Sequence, residues 1–86
     1  MRLTFLVHAR RQMDLRGILV EEVHATLEKP DVVYEGARGR IVAERRLPGR
    51  KLAVKVVYNE GAGGERVIVT VMRGRPYRKA GDSDEI

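Results

Sequence analysis

HARRQMDLRGI, residues 8–18, reads as one short helix followed by its stop signal. Ala9, Met13 and Gln12 fall on one face at helical spacing, with Arg10, Arg11 and Asp14 on the other. Gly17 ends the helix, because a residue without a Cβ takes the left-handed cap conformation at little steric cost. Ile18 then tucks under the turn. On the N-terminal side, residues 3–7 (LTFLV) read either as a short β segment or as the lead-in to the helix. On the C-terminal side a second helix is expected over residues 20–29. Val20, Val23 and Leu27 share its inner face, and Glu21 and Glu22 sit in the first turn, where the helix dipole favours anions. Pro30 stops it. Leu19 stands where an N-capping Ser or Thr is expected, a local defect of about 1 kcal/mol.

Beyond Pro30 the periodicity changes from helical to alternating. Residues 32–35, 40–47, 52–59 and 66–73 read as strands, separated by the turn signals GARG, LPGRK and EGAGGE. Connections this short imply an antiparallel meander. Alternation places Ile41, Ala43, Leu47, Leu52, Val54, Val56, Tyr58, Val67, Val69 and Val71 on one face, interrupted by Arg45 and Arg73. This is the face expected to lie under the helices. Val42, Glu44, Arg46, Ala53, Lys55, Val57, Ile68, Thr70 and Met72 fall on the opposite face. The expected architecture is α+β, with two N-terminal helices packed on a four-stranded antiparallel sheet. Residues 1–73 form the single domain and residues 74–86 a flexible tail.

Composition narrows the function classes. Eighty-six residues support one core. The absence of cysteine excludes disulfides, thiolate nucleophiles and cysteine-based zinc sites. No apolar run approaches the roughly 20 residues a membrane span needs, so no membrane partner is expected and the cytoplasm is the expected location. Seventeen Lys and Arg against 12 Asp and Glu give a net charge of +5, a field that attracts polyanions or an acidic protein. The two histidines lack carboxylates at ligand spacing, and Gly61, Gly63 and Gly64 lie in a hairpin, not in a phosphate loop. Neither metal nor cofactor is expected.

His8-Ala9, Met13 and Arg16-Gly17-Ile18 follow the pattern H-A-x-x-x-M-x-x-R-G-I. An acidic helix, the Pro30-Asp31 step, a strand bearing Tyr34 and a late V-x-V-T-V strand from Val67 to Val71 come after it. Together they resemble a bacterial family of small single domains of unknown function, over roughly residues 5–73. That family is similar in layout to RelE/ParE and BrnT toxins. The resemblance implies a RelE-like ααββββ fold and a nuclease cleft. Leu19 replaces the Ser or Thr common before the acidic helix, and Lys55 stands where relatives often carry histidine.

RNA is cut without metal when its own 2′-hydroxyl is deprotonated, the phosphorane stabilised and the 5′-oxygen protonated. His8 and Glu44 are the acid–base candidates. Arg16, Lys55 and Thr70 complete the candidate catalytic set, as phosphate cations and a hydroxyl donor. Arg46, Arg73 and Tyr34 are the candidate substrate contacts, by charge and by stacking. Each has a plainer reading: His8 as a helix-end residue, Arg16 as a cation at a helix C-terminus, Glu44 with Lys55 as a cross-strand pair, and Tyr34 as core edge. Two functions follow. One is a metal-independent ribonuclease or toxin of a toxin–antitoxin system. The other is a non-catalytic basic module engaging nucleic acid or an acidic protein. Expected partners are RNA, an acidic antitoxin protein or a second copy of the chain.

Overall fold

The computed structural model describes residues 1–77. It is a mixed α+β fold in the order β1 (Arg2–Phe5), α1 (Val7–Arg16), α2 (Val20–Glu28), β2 (Val32–Glu35), β3 (Ile41–Arg46), β4 (Ala53–Glu60) and β5 (Glu65–Gly74). The strands form one sheet in the order β1-β5-β4-β3-β2. β2 to β5 are the expected antiparallel meander, but β1 pairs parallel to β5 through Leu3↔Arg66 and Phe5↔Ile68. The four-stranded antiparallel sheet of the sequence reading is therefore corrected to a five-stranded mixed one. Residues 2–5 cover an otherwise bare edge of β5, and their partner lies more than 60 residues away, so no local turn signal announces the pairing. No helix among the described residues is long and apolar enough to cross a membrane.

Both helices lie on one side of the sheet, α1 over β5 and α2 over β3 and β4. Gly17 takes the expected left-handed conformation (φ 64°), and the Ile18 N–H donates to the Met13 carbonyl at 2.9 Å, closing the first helix. At the start of α2, Leu19 has no side-chain acceptor to offer. The Glu22 carboxylate compensates in part by accepting the Leu19 N–H at 2.9 Å, half of a capping box. Ala9, Met13, Ile18, Val23 and Leu27 then meet Ala43, Val54, Val56, Tyr58, Ile68 and Val71 in a single core.

One face assignment is overturned. Val57 opposes Thr70, but Tyr58 opposes Ile68, so Val69 is an extra residue that breaks the register. Because strand side chains alternate with a period of two, the extra residue exchanges the faces of everything before it. Ile68 turns inward to the core, while Val67 pairs with Asn59 on the other face. Arg66 joins the helix side, its guanidinium 5.2 Å from the Tyr58 ring centroid.

The helix-side arginines share a task. Arg45 donates to the Lys29 carbonyl at 2.9 Å, Arg66 to the Leu27 carbonyl at 3.4 Å and Arg73 to the Gly17 carbonyl at 3.3 Å. All three acceptors lie at helix C-terminal ends, where carbonyls lack intrahelical donors and the dipole favours cations. Part of the arginine content therefore has a structural explanation.

Candidate functional site

The face without helices is built from Val32 and Tyr34 on β2, Val42, Glu44 and Arg46 on β3, Ala53, Lys55 and Val57 on β4, and Thr70 and Met72 on β5. Glu44 and Lys55 are cross-strand partners, as alternation predicts, and their Oε1 and Nζ lie 3.5 Å apart. Glu44 is nonetheless not part of a pair on an open, solvated surface. Its residue exposure is 2 %, although no helix covers it.

The cover comes from the chain beyond β5. After Gly74 the backbone turns over the face through Arg75 and Pro76, a residue with no N–H to extend a ladder. The Tyr77 N–H donates to Glu44 Oε2 at 2.8 Å, and the Tyr77 ring stacks on Tyr34 at 4.0 Å between centroids and 16° between planes. The Tyr34 hydroxyl donates to Glu44 Oε1 at 3.2 Å. Residues 75–77, read from the sequence as the start of a tail, thus hold two contacts on the sheet. Residues 78–86, the rest of that tail, lie outside the described residues.

Desolvation by burial, the nearby Glu44 carboxylate and the hydrogen bond to it push the Tyr34 phenol up to about 12 from its ordinary 10.0. The folded protein therefore favours the neutral phenol. The stability this contributes is complete below pH 10 and is lost as pH rises through about 12. An ultraviolet titration of phenolate is expected to show a late-titrating component that is lost in Tyr34→Phe. That variant should also lose less stability than wild type between those pH values. An unchanged titration in Tyr34→Phe would count against the hydrogen-bonded arrangement.

The candidates from the sequence do not converge. Glu44, Lys55, Thr70, Tyr34 and Arg46 share the uncovered face, with Thr70 opposite Val57 on the β5 side and Arg46 exposed at the end of β3. His8 and Arg16 are exposed on α1, on the helix side of the sheet. Arg73 also belongs to the helix side, where it meets Gly17 and, at 3.5 Å, Glu22. Tyr77 was missed by the sequence reading. The available signal was a Pro-Tyr step in an otherwise polar segment, since a lone aromatic there has no helix or strand to serve. Among the described residues no three His, Asp or Glu side chains gather as a metal site.

A family model described as "Domain of unknown function (DUF4258)" matches residues 5–73. No curated protein and no solved structure matches the chain.

Proposed function

Because the chain belongs to the DUF4258 family of unknown function, we propose from its own surface that it is a non-catalytic binding module for single-stranded RNA, bound on the sheet face the helices leave bare. The observation that carries this reading is the pairing of aromatic rings with exposed cations on that face. The Tyr34 ring presents a stacking face, taken up by Tyr77, Arg46 is exposed on the same sheet face, Arg75 is exposed two residues before Tyr77, and the β3–β4 turn adds exposed Arg50 and Lys51. Cations track a phosphate backbone, and aromatic faces stack unpaired bases. Arg10, Arg11 and Arg16 on α1 are exposed too, but they lack such a stacked pair. An acidic protein would use the charges and leave the rings without a role.

The division of the candidate residues favours binding over cleavage. Metal-independent cleavage needs two proton-transfer groups near one phosphate, whereas His8 and Glu44 lie on opposite sides of the sheet. The resemblance to RelE/ParE and BrnT toxins expected from the sequence motif would suit RNA as the target, and an acidic antitoxin would compete for the same cations.

Fluorescence anisotropy with a labelled single-stranded RNA tests the reading. Affinity is expected to fall steeply between about 50 and 200 mM salt, and Arg46→Glu/Arg75→Glu should weaken binding about tenfold or more at the lower salt. Binding that is absent at about 100 μM protein, or indifferent to the double variant, would sink the proposal. RNA cut in chelator by wild type but not by His8→Ala would replace it with the nuclease reading.

A further inference from the structure

We propose that Tyr77 occupies a guanine-reading seat formed by Tyr34, Glu44 and Lys55. This inference rests on the RNA-binding reading and names the base that the face selects. Tyr77 brings two features to the seat. Its ring lies parallel to Tyr34 at 4.0 Å, and its backbone N–H donates to Glu44 Oε2 at 2.8 Å. An aromatic face combined with a nearby N–H donor is also what a nucleobase offers. Tyr77 is 39 % exposed and follows a short link from the end of β5, so its departure opens the seat without breaking a strand.

The chemistry of the seat discriminates among bases. A carboxylate accepts hydrogen bonds and donates none. Guanine carries two adjacent donors, N1–H and the N2 amino group, which match the two oxygens of one carboxylate. Adenine and cytosine set a ring-nitrogen acceptor beside their amino group, and uracil flanks its single N–H with carbonyls. Each of these three would bring an acceptor against the carboxylate.

The cation lies on the appropriate side. Lys55 Nζ is 3.5 Å from Glu44 Oε1. With guanine N2–H on Oε2 and N1–H on Oε1, the base's O6 acceptor falls toward the Lys55 ammonium. Tyr34 keeps its hydrogen bond to Oε1 and supplies the stacking surface. Glu44 is thus the specificity residue, Lys55 both positions its carboxylate and meets O6, and Tyr77 is the internal competitor.

The test uses the full chain and two labelled RNA oligomers, a uridine run with one central guanosine and the same run with adenosine. Wild type is expected to favour the guanosine oligomer by about tenfold. Tyr77→Ala, which vacates the seat, should tighten binding of the guanosine oligomer and enlarge that preference. Glu44→Gln should abolish it while leaving the salt dependence in place. Should Glu44→Gln fail to fold, Tyr77→Ala still decides, together with the Tyr77 amide resonance of wild type. That resonance should shift on addition of guanosine monophosphate and stay fixed with adenosine monophosphate. Equal affinity for the two oligomers, or a Tyr77→Ala variant that weakens both alike, overturns the seat and leaves RNA binding standing. Failure to bind either oligomer at low salt overturns both.

Discussion

Replacing Ile68 by alanine is expected to lower the unfolding free energy by about 3 kcal/mol, whereas Val67→Ala should cost about 1 kcal/mol or less. Ile68 has no exposed surface and lies in the core with Tyr58, Val56 and Val71, while Val67 is half-buried on the uncovered face. Deleting the Ile68 side chain beyond Cβ removes its transfer free energy and leaves a cavity that the surrounding core fills only in part. For a domain of this size the loss corresponds to a fall in Tm of roughly 12–24 °C, readily measured by circular dichroism. Unbroken alternation along β5 predicts the reverse ranking. The two variants therefore test the Val69 bulge directly: a larger loss in Val67→Ala would mean that the register shift does not exist.

That bulge marks a limit of pattern reading. The strand at residues 66–73 was legible from its β-branched residues and flanking glycines, as were Gly17 and Pro30 as helix stops. Those signals are local, since each depends on the φ, ψ or hydrogen-bonding capacity of one or two residues. An inserted residue leaves no such signature, because V-I-V-T-V is apolar at nearly every position and suits either face. β1 is hidden for a related reason. Its Leu3 and Phe5 alternate correctly, but four residues are too few to choose between strand and lead-in, and the deciding partner lies at the far end of the chain.

The candidate site was legible to a similar extent. Alternation alone places Glu44, Arg46, Lys55 and Thr70 on one face, and the β3–β4 register then brings Glu44 opposite Lys55. Burial of the carboxylate was not legible, because its cover is Tyr77, and a polar segment with no periodicity gives no reason to fold back over the sheet. His8 and Arg16 illustrate the opposite error. A sequence motif showed that they accompany the helix, and its spacing carried no information about which side of the sheet the helix would cover. The arginine excess divides likewise once the helix ends are seen, with Arg45, Arg66 and Arg73 satisfying carbonyls and Arg46 and Arg75 exposed.

Lys55→Met is expected to destabilise the protein by about 2–3 kcal/mol at neutral pH, and addition of Glu44→Met is expected to restore most of that loss. Removing the ammonium alone leaves a carboxylate whose side chain is 3 % exposed without its cation. The Tyr77 N–H and Tyr34 hydroxyl still reach it, and Lys55 is itself 18 % exposed, so the cost falls below the 3–5 kcal/mol of a fully buried pair. Replacing both charges by thioether chains removes the desolvation penalty of each. It also sets two apolar side chains side by side on a face that already carries Val32, Val42, Val57 and Met72. Urea denaturation of the two single variants and the double variant measures the coupling. A pair that merely decorates a solvated sheet predicts effects within about 1 kcal/mol for every variant, and that result would remove the buried carboxylate as the organising feature of this face. If instead the double variant is stable while its RNA binding has lost base preference, the pair is retained for recognition at little benefit to folding. The same carboxylate would then account for both the burial under Tyr77 and the selectivity expected when Tyr77 withdraws.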